Sequence, residues 1–242
     1  MKSIRIVGLC LAAVFVMSMV AAGTASAAPH WLVCLNFGGT GTRYSTNQCK
    51  EAASGGSFEW GELTGTEKTV TQGTLILETT GVPIVGEVVI ECSGTDTGSI
   101  GPGNQSRTLT VTTASCKAGK NCEKVESAAT AVNLPWNTEL LETEGNIHGT
   151  LRKGAGAAGP PGWRASCKVL GVVEANECTS EAGLLILTND NTPGTVGPLL
   201  VLADFEHPNK TLAACTVSGT KGDVLGSISI LAANGDAIRV SK

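Results

Sequence analysis

The chain has 242 residues, 31 of them glycine, with 16% charged residues and a formal charge of −4. No segment collects Lys and Arg, which argues against nucleic acid or anionic lipid as a partner. No segment keeps a helical period of apolar residues, whereas Thr and Val recur in short runs, so the composition points to an all-β protein.

The first 27 residues read as a secretory signal peptide. Lys2 and Arg5 precede an uncharged, mostly apolar run from Ile6 to Ala22, and Ala25-Ser26-Ala27 supplies small residues for cleavage. A retained anchor is the competing reading, and the run is short for a span. The expectation is therefore an exported protein with no membrane span after cleavage. The mature chain then carries 15 basic against 21 acidic residues.

Residues 28–65 form a small N-terminal module. Trp31, Phe37, Tyr44, Phe58 and Trp60 cluster there, with Cys34 and Cys49 around the turn Gly38-Gly39-Thr40-Gly41. A segment this short builds little core alone, so a staple plus aromatic packing is expected.

Residues 66–242 read as one antiparallel β domain, a sandwich or a distorted barrel. Short apolar runs separated by Gly, Pro, Asn and Asp predict strands at 73–79, 86–92, 107–113, 145–152, 163–170, 183–188, 199–205, 212–218, 225–231 and 237–240. In Gly86–Cys92, Val88, Ile90 and Cys92 share the core face, opposite Glu87 and Glu91. In Arg107–Thr113, Leu109 and Val111 face away from Thr108, Thr110 and Thr112. The glycine tract Gly154–Gly162 ends in a Pro160-Pro161 corner directly before Trp163.

Eight cysteines remain after cleavage: Cys34, Cys49, Cys92, Cys116, Cys122, Cys167, Cys178 and Cys215. An even number in an exported chain reads as a disulfide framework. Proximity pairs Cys34 with Cys49, Cys116 with Cys122 and Cys167 with Cys178, leaving Cys92 for Cys215. Zinc binding is the alternative, though no Cys-x-x-Cys pair occurs.

Few residues spell chemistry. Asp96-Thr97-Gly98-Ser99 has the letters of an aspartic-protease turn, which needs a second carboxylate to share the proton. No second copy exists, and the plain alternative is a solvated loop. His148 could pair with Glu139, Glu142 or Glu144 as acid and base, and Asn189-Asp190-Asn191 could offer oxygen ligands to calcium. His30 and His207 stand apart, and no His-x-x-x-His or Gly-x-Ser-x-Gly pattern occurs. Asn104-Gln105-Ser106 and Asn209-Lys210-Thr211 fit the glycosylation sequon.

Leu134-Pro135-Trp136-Asn137-Thr138-Glu139-Leu140, the Gly/Pro corner before Trp163, and Cys167 with Cys178 resemble exported proteins of high-GC soil actinobacteria. So do Trp31, Cys34, Cys49, Phe58-Glu59-Trp60 and Cys215 with its glycine-punctuated last hairpin. The resemblance implies export and disulfides and carries over no catalytic residue.

The expected function is non-catalytic, binding or structural, in a secreted or cell-surface protein without a cofactor or metal, its partner a cell-envelope glycan or protein. Trp163, at a loop tip after the proline corner, is the expected ligand-stacking residue, with Trp136 as a second face. The alternative is a secreted hydrolase of peptides or glycans using carboxylates such as Asp96, Glu139 or Asp204.

Overall fold

A computed structural model describes residues 28–38, 42–143, 145–181, 183–189, 199–204, 213–217 and 219–241. Their regular structure is entirely β, and no helix among them is long and apolar enough to cross a membrane. The chain opens with β1 (His30–Asn36), β2 (Thr42–Tyr44), β3 (Ala52–Gly56) and β4 (Phe58–Glu62). Three long strands follow: β5 (Glu67–Val82), β6 (Gly86–Ile100) and β7 (Gln105–Ala118). Then come β8 (Lys124–Val132), β9 (Trp136–Thr143), β10 (Asn146–Lys153), β11 (Gly162–Val169) and β12 (Val172–Thr179). The last are β13 (Gly183–Asn189), β14 (Leu199–Asp204), β15 (Ala213–Cys215), the long β16 (Lys221–Ala232) and β17 (Ile238–Ser241).

A twelve-stranded antiparallel sheet carries the main domain, in the order β14-β13-β10-β9-β7-β6-β5-β16-β15-β12-β11-β8, with an extra ladder between β14 and β16. Its spine is β16-β5-β6-β7, and the two halves of this spine have different neighbours. At one end, Leu225–Ile230 of β16 pair with β14, and Gln105–Thr108 of β7 pair with β9. At the other end, Lys221 and Gly222 of β16 pair with β15, which leads through β12 and β11 to β8. The Thr113 hydroxyl donates to the Ala129 carbonyl, which holds β8 back over β7. The result is two lobes built on four shared strands. The sheet as a whole is not a closed barrel, because among the described residues β8 has a ladder with β11 alone.

The alternation read from the sequence explains the spine. Leu77 faces Ile90, and Leu75 faces Cys92, across the β5–β6 ladder, and Leu77, Val88, Ile90 and Cys92 are all buried. Residues 67–72 and 93–100 extend these strands beyond the apolar runs, through polar Thr, Gln, Ser and Gly.

β7 departs from the expected alternation. Its register with β6 slips twice, so that Thr97 pairs with Thr110 but Gly98 with Thr108, and Ser93 pairs with Ser115 but Gly94 with Thr113. Leu109 and Ala114 are the extra residues of two β-bulges. Each bulge reverses which face the following side chains take. Leu109 is therefore exposed, while Thr108 and Val111 both turn inward. The partner strand carries glycine where the bulged backbone presses closest. A Cβ on Gly94 would strike the Thr112 carbonyl oxygen, and one on Gly98 the Arg107 carbonyl oxygen.

The N-terminal segment makes a five-stranded sheet, β17-β1-β4-β2-β3, so its fifth strand comes from the far end of the chain. Trp31 pairs with Val240 and packs with Val33, Ile100, Leu140 and Ile238 in a buried cluster that joins this sheet to the spine. Arg239 lies over the Trp60 ring, 5.0 Å from its centroid.

All eight cysteines among the described residues are oxidised, and one expected pair holds: Cys34–Cys49. The other three are corrected to Cys92–Cys116, Cys122–Cys167 and Cys178–Cys215. Register is the physical reason. In the β11–β12 hairpin Cys167 faces Glu174 and Cys178 faces Trp163, so the two sulfurs lie about 13 Å apart along the strands. Cys92 and Cys116 instead face each other across the β6–β7 ladder, and Cys178 faces Cys215 across β12–β15. Cys122, in the loop after β7, reaches the buried Cys167 of β11.

Candidate functional site

At the junction of the two lobes lies a half-open cavity of about 140 Å³. Its walls are mostly apolar: Leu75 and Leu77 of β5, Val111 of β7, Leu151 of β10, Val224 and Ile228 of β16. Trp136, at the start of β9, and Trp163, in β11, add two indole faces. Thr71, Thr95, Thr108, Thr112, Thr113 and Thr130 line the cavity as well.

The structure thus brings together the two tryptophans singled out from the sequence, but not as an exposed platform. Trp163 is buried, with 7% of its surface accessible. The expected loop-tip position fails because Gly162 and Trp163 already belong to a strand paired on both sides, with Val132 and Ala131 of β8 and with Thr179 and Cys178 of β12. In the proline corner Pro161 is buried and Pro160 half-buried, and the polar backbone there is satisfied. The Pro160 carbonyl accepts from the Asn133 side chain at 2.8 Å, and the Pro161 carbonyl accepts from the Ser180 amide at 2.9 Å. Trp136 is half-buried and donates its indole N–H to the Val132 carbonyl at 2.8 Å. The indole nitrogen of Trp163 is buried without a hydrogen-bond partner.

Asp96 enters this site from the middle of β6, between Thr71 of β5 and Val111 of β7 in the ladder. It belongs neither to a turn nor to a solvated loop, which corrects both readings of Asp96-Thr97-Gly98-Ser99. Gly98, which completes the protease-like letters, and Gly94 two residues before Asp96 answer to the bulges of β7. Asp96 shares the inward face with Cys92, Gly94 and Gly98, while Thr95 and Thr97 are exposed. Its backbone amide donates to the Thr71 hydroxyl at 3.3 Å. Burial pushes the Asp96 carboxyl above its ordinary range, and a hydrogen bond from Thr71 pulls the other way. Sequence alone hides this role, because its signal is a carboxylate in phase with Cys92 on a strand longer than the apolar run predicts.

The other residues considered for chemistry do not converge here. Glu139 of β9 lies outside the cavity, 3.7 Å from Arg152. Asp204 ends β14, its backbone in register with Leu184 and Leu225. His148 sits in β10 with Nδ1 buried and unpartnered, and His30 lies 3.6 Å from Glu62. Asn104 donates from its side-chain amide to the Leu140 carbonyl at 3.3 Å. Glu144, Asp190, Asn191, His207 and the Asn209 sequon lie outside the described residues, as does the signal segment. No group of three or more His, Cys, Asp or Glu placed to hold a metal ion occurs among the described residues.

Fold and site together define a disulfide-stapled antiparallel β protein with an apolar cavity that holds one carboxyl group. No protein-family model, curated protein or solved structure matches the chain.

Proposed function

We propose that this chain is a non-catalytic exported protein that binds a small, largely apolar ligand in the cavity between its lobes. The observation that carries the reading is the cavity itself. Two tryptophans and six aliphatic side chains converge on one cavity whose wall is mostly apolar, with hydroxyl groups and one carboxyl among them, which is the usual make-up of a small-molecule site. Export and a place outside the cell or at its surface are supported by the leader-like first 27 residues and by four disulfides. The resemblance to exported actinobacterial proteins points the same way.

A hydrolase of peptides or glycans is the less supported reading. Acid and base chemistry in this cavity would need a second titratable group, and Asp96 is the one ionisable side chain among its described lining residues. Toluene, a ring of suitable size, is the first probe. Titration of the purified protein should change the tryptophan fluorescence saturably, and no response up to the solubility limit of toluene would reject the binding site. Robust turnover of a peptide or glycoside library member, abolished by one carboxylate substitution, would reject the non-catalytic assignment.

A further inference from the structure

We infer that the ligand of this cavity carries a cationic amine, which pairs with Asp96 while its apolar body lies between Trp136 and Trp163. The inference rests on the cavity-binding reading above and adds the chemical class.

Charge is the first argument. Strands β5, β7, β8, β9, β10, β11 and β16 all contribute to the wall, and none of their described lining residues is charged. No Lys, Arg or His therefore stands ready to neutralise Asp96 from within the cavity. A carboxylate on a mostly apolar, largely desolvated wall is disfavoured unless it is paired, and the Thr71 hydroxyl offers a dipole rather than a charge. The upward push on the Asp96 carboxyl is the same penalty seen from the proton's side. An ammonium group on the ligand brings the missing charge. A neutral ring would leave the carboxylate unanswered, and an anionic ligand would set like charges together.

Position is the second argument. Asp96 lies mid-strand in β6, which is paired along its length with β5 and β7, and Gly94 and Gly98 on either side leave no room for a side chain against the bulged backbone of β7. Ladders on both sides fix the residue, opposite Thr71 of β5 and Val111 of β7, so its place at the cavity wall is built in before any ligand arrives.

Size sets the body. A cavity of about 140 Å³ compares with the engineered apolar cavity of about 150 Å³ that takes up benzene. One ring bearing a short aminoalkyl arm fits that space.

The experiment compares benzylamine, benzyl alcohol and toluene by calorimetry on the native protein and on Asp96→Asn. The native protein should bind benzylamine at least ~10-fold tighter than benzyl alcohol at pH 7, a margin of ~1.4 kcal/mol for the charge pair. Asp96→Asn should lose that preference and keep toluene affinity. On the native protein, lowering the pH should weaken benzylamine and leave toluene unchanged, a measurement that stands even where the variant folds poorly. Equal affinities for benzylamine and benzyl alcohol, or a preference that survives in Asp96→Asn, would overturn the inference while toluene binding upholds the cavity. Failure of all three probes would overturn the cavity-binding reading itself.

Discussion

Cys92 of β6 and Cys116 of β7 stand directly opposite each other, their Cα atoms 4.1 Å apart, and are bonded. Cys178 and Cys215 repeat the arrangement between β12 and β15 at 4.0 Å. Such bridges link residues that the ladder has already placed face to face, at the short spacing of a pair without mutual hydrogen bonds. Cys178–Cys215 and Cys122–Cys167 fall in the lobe built from β8, β11, β12 and β15, whereas Cys92–Cys116 ties together two strands of the spine. Non-reduced peptide mapping should recover Cys34–Cys49, Cys92–Cys116, Cys122–Cys167 and Cys178–Cys215. A peptide joining Cys92 to Cys215 would reject the β6–β7 register.

The corrected pairing also changes what each bridge is worth. The three main-domain bridges span 24, 45 and 37 residues, so no single one restrains most of the chain. Loop entropy gives each of them about 3–4 kcal/mol, with a spread of about 0.6 kcal/mol between the shortest and longest. The double variants Cys92→Ala with Cys116→Ala, and Cys122→Ala with Cys167→Ala, should therefore lose comparable stability in urea unfolding. A loss confined to one of them would show that the entropic account fails here.

How much of this was legible depends on the physics of each element. The alternation of Val88, Ile90 and Cys92 is local, and it placed Cys92 in the core as expected. Strands β8 and β12 escaped notice for opposite reasons. Lys124–Val132 carries Ser and Ala where large apolar residues would mark a face, and Val172 and Val173 are exposed beside a hairpin turn. The bulges at Leu109 and Ala114 are a property of two strands at once, so the β7 sequence alone predicts the wrong face for Leu109. Disulfide partners depend on register, and register depends on those bulges. Burial of Trp163 turned on the strands that pair with it on both sides, through Ala131 of β8 and Cys178 of β12, residues distant from it in sequence.

The bulges make a prediction of their own. Gly98→Ala places a methyl group against the Arg107 carbonyl oxygen, a backbone atom that cannot rotate away. Overpacking of this kind costs about 1–3 kcal/mol. Gly101→Ala is the control, because a Cβ there meets nothing within 4 Å. Urea unfolding should show a clear loss for the first and a change within about 0.5 kcal/mol for the second. Equal stabilities would mean that β6 and β7 are not pressed together at this point.

Asp96 ties stability to pH, and the direction follows from its burial. Its carboxyl titrates above the ordinary value of 3.8 in the folded protein, chiefly through desolvation. The folded state thus keeps a proton that the unfolded chain has already released. The contribution of Asp96 to stability is fully present below the unfolded value and declines as the pH rises through the folded one. Above that it stays lost, because the folded protein must then hold an ionised group in an apolar wall. Asp96→Asn removes the titration and keeps the shape. Its melting temperature, relative to the native protein, should therefore rise between pH 3 and pH 7, while every other carboxyl group cancels in the comparison. A difference that is constant with pH, or that falls, would show that Asp96 is not desolvated. Saturating benzylamine gives the complementary result at pH 7: it should raise the melting temperature of the native protein more than that of Asp96→Asn, because only the native cavity offers the ammonium a partner charge.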